Sequence, residues 1–167
     1  MKKKILKILV LLVCATLLSL DYGNALEGNK IKVIDGDSLE VDGKRIRLKG
    51  IDAPEYKQYC FDENNKKYNC GLLSREYLLT LTEGTDFYCK FKETDRYGRY
   101  LSVCYSDGKN VNKLMLKEGW AIPYRTKNPL YYAAQIKAKL QKKGIYQGKF
   151  IAPEIYRRLN KRKKVKN

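Results

Sequence analysis

Histidine is absent from all 167 residues, and that absence closes off more chemistry than any single residue opens. It removes the commonest general base, every Ser-His or Cys-His nucleophile pair and any mixed Cys/His zinc site. Hydrolysis by this chain must therefore rest on carboxylates, a metal ion or fixed cations. No two of the five cysteines lie in a C-x₂-C spacing, which disfavours a four-thiolate zinc site as well. Acidic residues are scarce beside basic ones, 18 against 35, and the resulting formal charge of +17 suits a polyanionic partner. The long apolar run, Ile8 to Leu20, has only 13 residues, short of the roughly 18 to 20 that span a bilayer.

That run follows Lys2, Lys3, Lys4 and Lys7 and gives way to the polar stretch Asp21 to Asn24, with small Ala25 as a cleavage point. Residues 1–25 thus read as an export signal, an uncleaved membrane anchor being the alternative. A lipoprotein anchor at Cys14 is disfavoured because Val13 stands where a small residue is needed. The remaining 142 residues, from Leu26, make one domain over 26–156 and a basic tail over 157–167. Loss of the leader's four lysines and one aspartate lowers the charge only to +14. Seven Lys or Arg crowd between Arg157 and Lys166, a run expected to be solvated and mobile. Export leaves Cys60, Cys70, Cys89 and Cys104, an even number in an oxidising compartment, which predicts two disulfides.

Short alternating runs come first: Lys30 to Ile34, Ser38 to Val41 and Arg45 to Lys49. Asp42-Gly43 is a strong hairpin signal that pairs Val41 with Lys44, Leu39 with Ile46 and Ser38 with Arg47. Uninterrupted pairing would put Arg47 on the face opposite Asp37, so a bulge or a bend at Asp37 is required to bring them together. A helix follows Cys70, with Leu73, Tyr77 and Leu81 as its stripe and Gly84 as its end. Strands over Thr85 to Lys92 and Arg99 to Tyr105 flank the turn Asp95 to Gly98. Symmetric pairing about it places Cys89 opposite Cys104, leaving Cys60 for Cys70. Two more helices carry the stripes Val111, Leu114, Met115 and Ala133, Ile136, Leu140. Asn110 caps the first, which Gly119 ends; Asn128-Pro129 opens the second and Gly144 closes it. These elements do not alternate as a parallel sheet requires. They predict a mainly β chain with α, an α+β fold built on a five-stranded OB-type antiparallel barrel with about three packed helices.

Two acidic clusters, Asp35-Gly36-Asp37 and Asp52-Ala53-Pro54-Glu55, lie at strand ends, where barrel sites are assembled. Oxygen ligands of this kind suit a hard cation, and outside the cell calcium is the natural candidate. Arg47 stands between the clusters, and Arg99 follows the Asp95 to Gly98 turn; both match phosphate oxygens bidentately. The strings Val33-Ile-Asp-Gly-Asp-Ser-Leu39, Arg47-Leu-Lys-Gly-Ile-Asp-Ala-Pro-Glu55 and Asp95-Arg-Tyr-Gly-Arg99 together resemble the staphylococcal nuclease family. The likeness continues through Asn112, Gly119-Trp-Ala and Gly144-Ile-Tyr-Gln-Gly, and the four cysteines resemble those of exported bacterial members.

That resemblance implies a calcium-dependent endonuclease that hydrolyses phosphodiester bonds of DNA and RNA to 3′-phosphate products. By position it assigns the metal to Asp37, Asp52 and the backbone carbonyl of Ala53, and the attacking water to Glu55. Arg47 and Arg99 fall to the scissile phosphate and its transition state. Arg96, Tyr97 and Tyr124 take the nucleotide's terminal phosphate and base, with Asp35 and Ser38 supporting the metal loop. Calcium is the implied cofactor, DNA and RNA the implied substrates. A monomer without an obligate protein partner is expected, exported to the medium, periplasm or cell surface, with membrane contact only through an uncleaved signal or the basic tail. Two other readings compete: a non-catalytic OB-type module that binds nucleic acid or protein, and a cationic surface-associated factor whose tail binds anionic lipid or nucleic acid.

Overall fold

The computed structural model describes residues 24–28 and 30–166, with side chains described as far as residue 162. The leader expected over 1–25 lies, up to residue 23, outside the described residues. The chain opens with β1 (Ala25–Glu27), β2 (Ile31–Asp35), β3 (Ser38–Val41), β4 (Lys44–Leu48) and β5 (Ile51–Asp52). Asp42 and Gly43 both take positive φ, 47° and 77°, the backbone a two-residue hairpin needs, and β3 pairs with β4 in the expected register. Alternation then buries Val33, Leu39, Val41, Ile46 and Leu48 on one side of this meander.

A small ribbon, β6 (Cys60–Phe61) with β7 (Lys67–Tyr68), leads into α1 (Cys70–Thr82), capped by the Asn69 side chain. The hairpin β8 (Phe87–Thr94) and β9 (Tyr100–Ser106) follows, then β10 (Lys109–Asn110), α2 (Val111–Lys117), β11 (Ile122–Pro123) and α3 (Pro129–Leu140). A 3₁₀ turn (Gly144–Gln147) and α4 (Pro153–Lys166) complete the order. The main sheet runs β1-β8-β9-β4-β3-β2, with β10 on β9. The expected α+β class therefore stands, with seven strands in that sheet instead of five. It is not antiparallel throughout: β4 and β9 run parallel, Ile46 beside Tyr100. The intervening helix and hairpin supply the long crossover that a parallel pair requires.

Cys89 opposes Cys104 as expected, although the hairpin is not symmetric. Asp95 N–H donates to Arg99 O and Gly98 takes φ 72°, so Arg96-Tyr97-Gly98 forms a three-residue loop. That moves the pairing by one at Thr94 and Tyr100, and a bulge between Phe91 and Glu93 moves it back before the cysteines. Both disulfides are present, Cys89–Cys104 and Cys60–Cys70, with Cα atoms 4.0 and 5.6 Å apart. The first lies in the main core; the second organises a satellite core with Ile145.

Two of the three expected helices, α1 and α3, bury other faces than the apolar spacing predicts, whereas α2 buries the expected one. In α1 the buried positions are Cys70, Gly71, Ser74, Leu78 and Thr82, while Leu73 is exposed and Tyr77 and Leu81 are only partly covered. Small residues win because the approach is close: a Cβ on Gly36 would collide with Ser74 Oγ. In α2, Val111, Asn112, Met115 and Leu116 are buried and Leu114 is half-buried. In α3, which packs on α2, the inner face is Tyr131, Ala134 and Ala138; Ala133 is exposed, and Ile136 and Leu140 are 56% and 81% exposed. Asn110 and Asn128 cap α2 and α3 as expected, and Gly119 ends α2 at φ 74°. Gly144 does not close α3, which ends at Leu140, but opens the 3₁₀ turn. Nor is the basic run an irregular tail. Proline at the first helical position and Glu154 in the first turn start α4, which continues through it.

Candidate active site

The Asp35-Gly36-Asp37 turn joins β2 to β3, and Asp35 Oδ1 accepts the Asp37 N–H at 3.1 Å. This is the bend that brings Asp37 to the side of Arg47, and Asp37 O accepts Leu48 N–H at 2.8 Å. Asp37 Oδ1 accepts from Ser38 Oγ at 3.0 Å and Oδ2 from Ala53 N–H at 2.7 Å. Its Oδ1 also meets Arg47 Nη1, so one guanidinium ties β3's turn to the second acidic cluster. Arg47 Nη2 donates to Asp52 Oδ1 at 2.8 Å, and Asp52 is wholly buried. Burial lowers the Arg47 guanidinium from its ordinary value, against the pull of Asp52 and Asp35. Burial also raises the Asp35 carboxyl, opposed by the charges of Arg47 and Arg99.

Beyond Asp52 the chain turns at Ala53-Pro54 to present Glu55, whose backbone is clamped by Gln58. Glu55 N–H donates to Gln58 Oε1 at 3.2 Å, and Gln58 Nε2 donates to Ile151 O at 2.7 Å. Gly71 at the start of α1 leaves room for the Glu55 carbonyl, which a Cβ there would overlap. Arg99, which lines the same cleft, is held at its Nε by Asp95 Oδ2 at 2.8 Å. Asp95 Oδ1 meanwhile accepts the N–H groups of Tyr97 and Arg99. Burial alone would raise the Asp95 carboxyl, but these bonds from Arg99 and Tyr97 hold it below its ordinary value.

Asp35, Asp37, Ser38, Arg47, Glu55, Arg96, Tyr97, Arg99 and Tyr124 all line one open cleft of roughly 1230 Å³. Asp52 lies beneath it, reached through Arg47. Ala53 is buried beside it, the N–H end of its peptide engaged by Asp37. The volume exceeds the roughly 300–1,000 Å³ usual for small-molecule pockets, as suits a polymer. Ten basic side chains face six acidic ones across it, so the cleft remains cationic despite its acid floor. Arg96 Nη2 donates to Tyr97 OH at 2.8 Å, and Arg125 lies 5.1 Å from the Tyr124 ring centroid. These rim aromatics offer faces on which a base can stack.

Asp37, Asp52 and Glu55 provide the hard oxygen donors that calcium prefers. As they stand, no group of three acidic or cysteine side chains among the described residues is arranged to hold a metal ion. Their charge is balanced by arginine. Arg157 from α4 donates Nη1 to Asp52 Oδ1 at 3.0 Å and to Glu55 Oε1 at 2.8 Å, and Nη2 to Asp52 Oδ2 at 3.0 Å. Burial opposes its charge, but the bonds to Asp52 and Glu55 outweigh that and raise its pKa. Sequence reasoning did not select Arg157, which is 102 residues from Glu55. It also missed Gln58 behind Glu55 and Arg45, Arg125 and Arg158 in the cleft; Lys161 and Arg162, expected as nucleic-acid contacts of a mobile tail, line the cleft from α4 instead. Only α4 offered a signal, in Pro153-Glu154 and the apolar pair Ile155 and Leu159 one turn apart.

Comparison with known proteins matches residues 45–148 to the family model described as staphylococcal nuclease homologue. The succinoglycan biosynthesis protein ExoI of Rhizobium meliloti is 41% identical over 118 residues, 69% of this chain and 62% of that protein. The chain thus spans under two thirds of that relative's length. An uncharacterized endonuclease of Escherichia coli O157:H7 is 36% identical over 128 residues, covering 72% of this chain and 77% of its own. A micrococcal nuclease of Shigella flexneri is 33% identical over 111 residues, 59% and 58% of the two chains.

Proposed function

The chain belongs to the staphylococcal nuclease family, and from that premise we propose that it is an exported, calcium-dependent endonuclease hydrolysing phosphodiester bonds in DNA and RNA. The observation that carries this reading is the arrangement at the cleft floor, where Arg47 joins Asp37 to Asp52, with Glu55 beside them on the same cationic groove as Arg99. Two disulfides support export.

In this mechanism Asp37 and Asp52, with the Ala53 carbonyl, would hold calcium. An ion bound there would supply neutralisation of phosphate charge. Glu55 takes the role of orienting, and accepting a proton from, a water that attacks phosphorus. The bond from that water's oxygen to phosphorus forms as the bond to the 5′-oxygen breaks, and the departing oxygen takes a proton from solvent, leaving a 3′-phosphate and a 5′-hydroxyl. Arg47 and Arg99 stabilise the charge that grows on the phosphoryl oxygens; such preorganised donors act most strongly in a site shielded from water. Asp95 fixes the Nε edge of Arg99, so the guanidinium meets the phosphate already oriented. Asp35 and Ser38 hold Asp37, while Arg96, Tyr97 and Tyr124 take the nucleotide's terminal phosphate and base.

The test is digestion of plasmid DNA and of single-stranded RNA with added calcium and again with chelator. Cleavage of both, abolished by chelator, is expected. Intact substrate in the presence of calcium would return the protein to the class of binding modules.

A further inference from the structure

Asp52 is 0% exposed, and its side-chain contacts are with arginines: Oδ1 takes Arg47 and Arg157, Oδ2 takes Arg157. Those two guanidinium groups differ in their freedom to move. The Arg47 side chain is 11% exposed and rooted in a central strand, whereas that of Arg157 is 33% exposed and reaches in from the terminal helix α4. Arg157 also bridges Asp52 to Glu55, drawing together a proposed metal ligand and the proposed water-activating group. Its residue lies outside the stretch matched by the family model.

We infer that Arg157 is a resident cation of the acidic floor, occupying Asp52 and Glu55 in the metal-free protein, and that a divalent ion binds Asp52 only by displacing it. This rests on the calcium reading above and adds the determinant of affinity. The physical reason is charge. A divalent ion placed against Asp52 beside two guanidinium groups meets like-charge repulsion in a poorly solvated place, and removal of one cation relieves it. Arg157 is the group that can yield, because its side chain can swing to solvent while Arg47 remains held by Asp37. Its departure also frees the Glu55 carboxylate for water.

The test is calorimetric calcium titration of the disulfide-intact protein without substrate, comparing wild type with Arg157→Ala and Arg157→Gln. Glutamine keeps a hydrogen-bond donor but not the charge, so it guards against a folding defect in the alanine variant. Both substitutions should tighten calcium binding by about tenfold or more through loss of the competing charge. Without metal both should melt below wild type, since buried Asp52 loses a partner, and calcium should raise their melting temperatures more than that of wild type. Wild-type binding with unchanged or weaker affinity in folded variants overturns this inference alone. No calcium binding by any of the three overturns the calcium reading and this inference with it. Binding by the variants but not by wild type supports the inference in its strongest form.

Discussion

At the scale of single residues, the acids and the arginines of the cleft should fail in different ways. Arg99→Ala is expected to keep its fold and its calcium binding yet lose turnover by about 10² or more, because the phosphate contact proposed for it would matter mainly in the transition state. Arg99→Lys should recover little, since lysine keeps the charge but not the planar fork. Asp37→Ala instead should raise the calcium concentration needed for activity. Calcium titration and turnover on a defined oligonucleotide, with circular dichroism on each variant, separate the two. Asp95 adds a pH dependence. Its folded pKa is depressed below the ordinary 3.8, so its stabilisation is present above that value and lost as pH falls through the depressed one. Asp95→Asn should therefore be less stable than wild type at neutral pH, with a gap that narrows at about pH 3. Chemical denaturation at the two pH values measures it; a constant gap would mean that the turn's hydrogen bonds, not its charge, supply the stability.

At the scale of elements, the Cys60–Cys70 bridge stands close behind Glu55. It closes the loop that carries β6 and β7, and Gly71 N–H next to it donates to the carbonyl of Gln58, the residue clamping Glu55. Replacing both cysteines with serine should lower the melting temperature, as loss of about 2–4 kcal/mol would. It should also reduce turnover, whereas the Cys89–Cys104 pair, set within an already paired hairpin, should cost stability with little loss of turnover. Equal turnover losses from the two double variants would show that the loop does not position Glu55. What could be read without coordinates follows the same divide between local and distant causes. Asp42-Gly43 dictates its hairpin through backbone conformation, so the β3–β4 register was legible, as was the need for a bend at Asp37. The cysteine pairing was legible too, although the Arg96-Tyr97-Gly98 loop and the Phe91–Glu93 bulge made two offsets that cancel. The faces of α1 and α3 were not, because close packing selects Ser74, Ala134 and Ala138 where hydrophobicity favours leucine and isoleucine. Helix α4 was hidden by its charge, and Arg157 by a contact that no local pattern encodes.

At the scale of the whole molecule, the cleft shares the chain's basic excess, with ten basic side chains around the six acids that line it. In the function proposed above, this lining would attract a polyanion, and the acid floor would take up calcium once Arg157 yields. Lys161 and Arg162 line that cleft from α4, so deletion of residues 161–167 should weaken nucleic-acid binding and flatten its salt dependence. Two lost phosphate contacts would reduce the slope of log affinity against log salt by about 1.4 to 1.8. An unchanged slope in a fluorescence titration would mean that the end of α4 does not engage the strand. The decisive measurement on the molecule as a whole is product analysis by mass spectrometry, using a defined oligonucleotide, the purified protein, and calcium or chelator. Fragments ending in 3′-phosphate, formed with calcium and absent with chelator or in Glu55→Gln, are the predicted result. A folded wild-type protein that binds the oligonucleotide in calcium yet leaves every phosphodiester intact would contradict it.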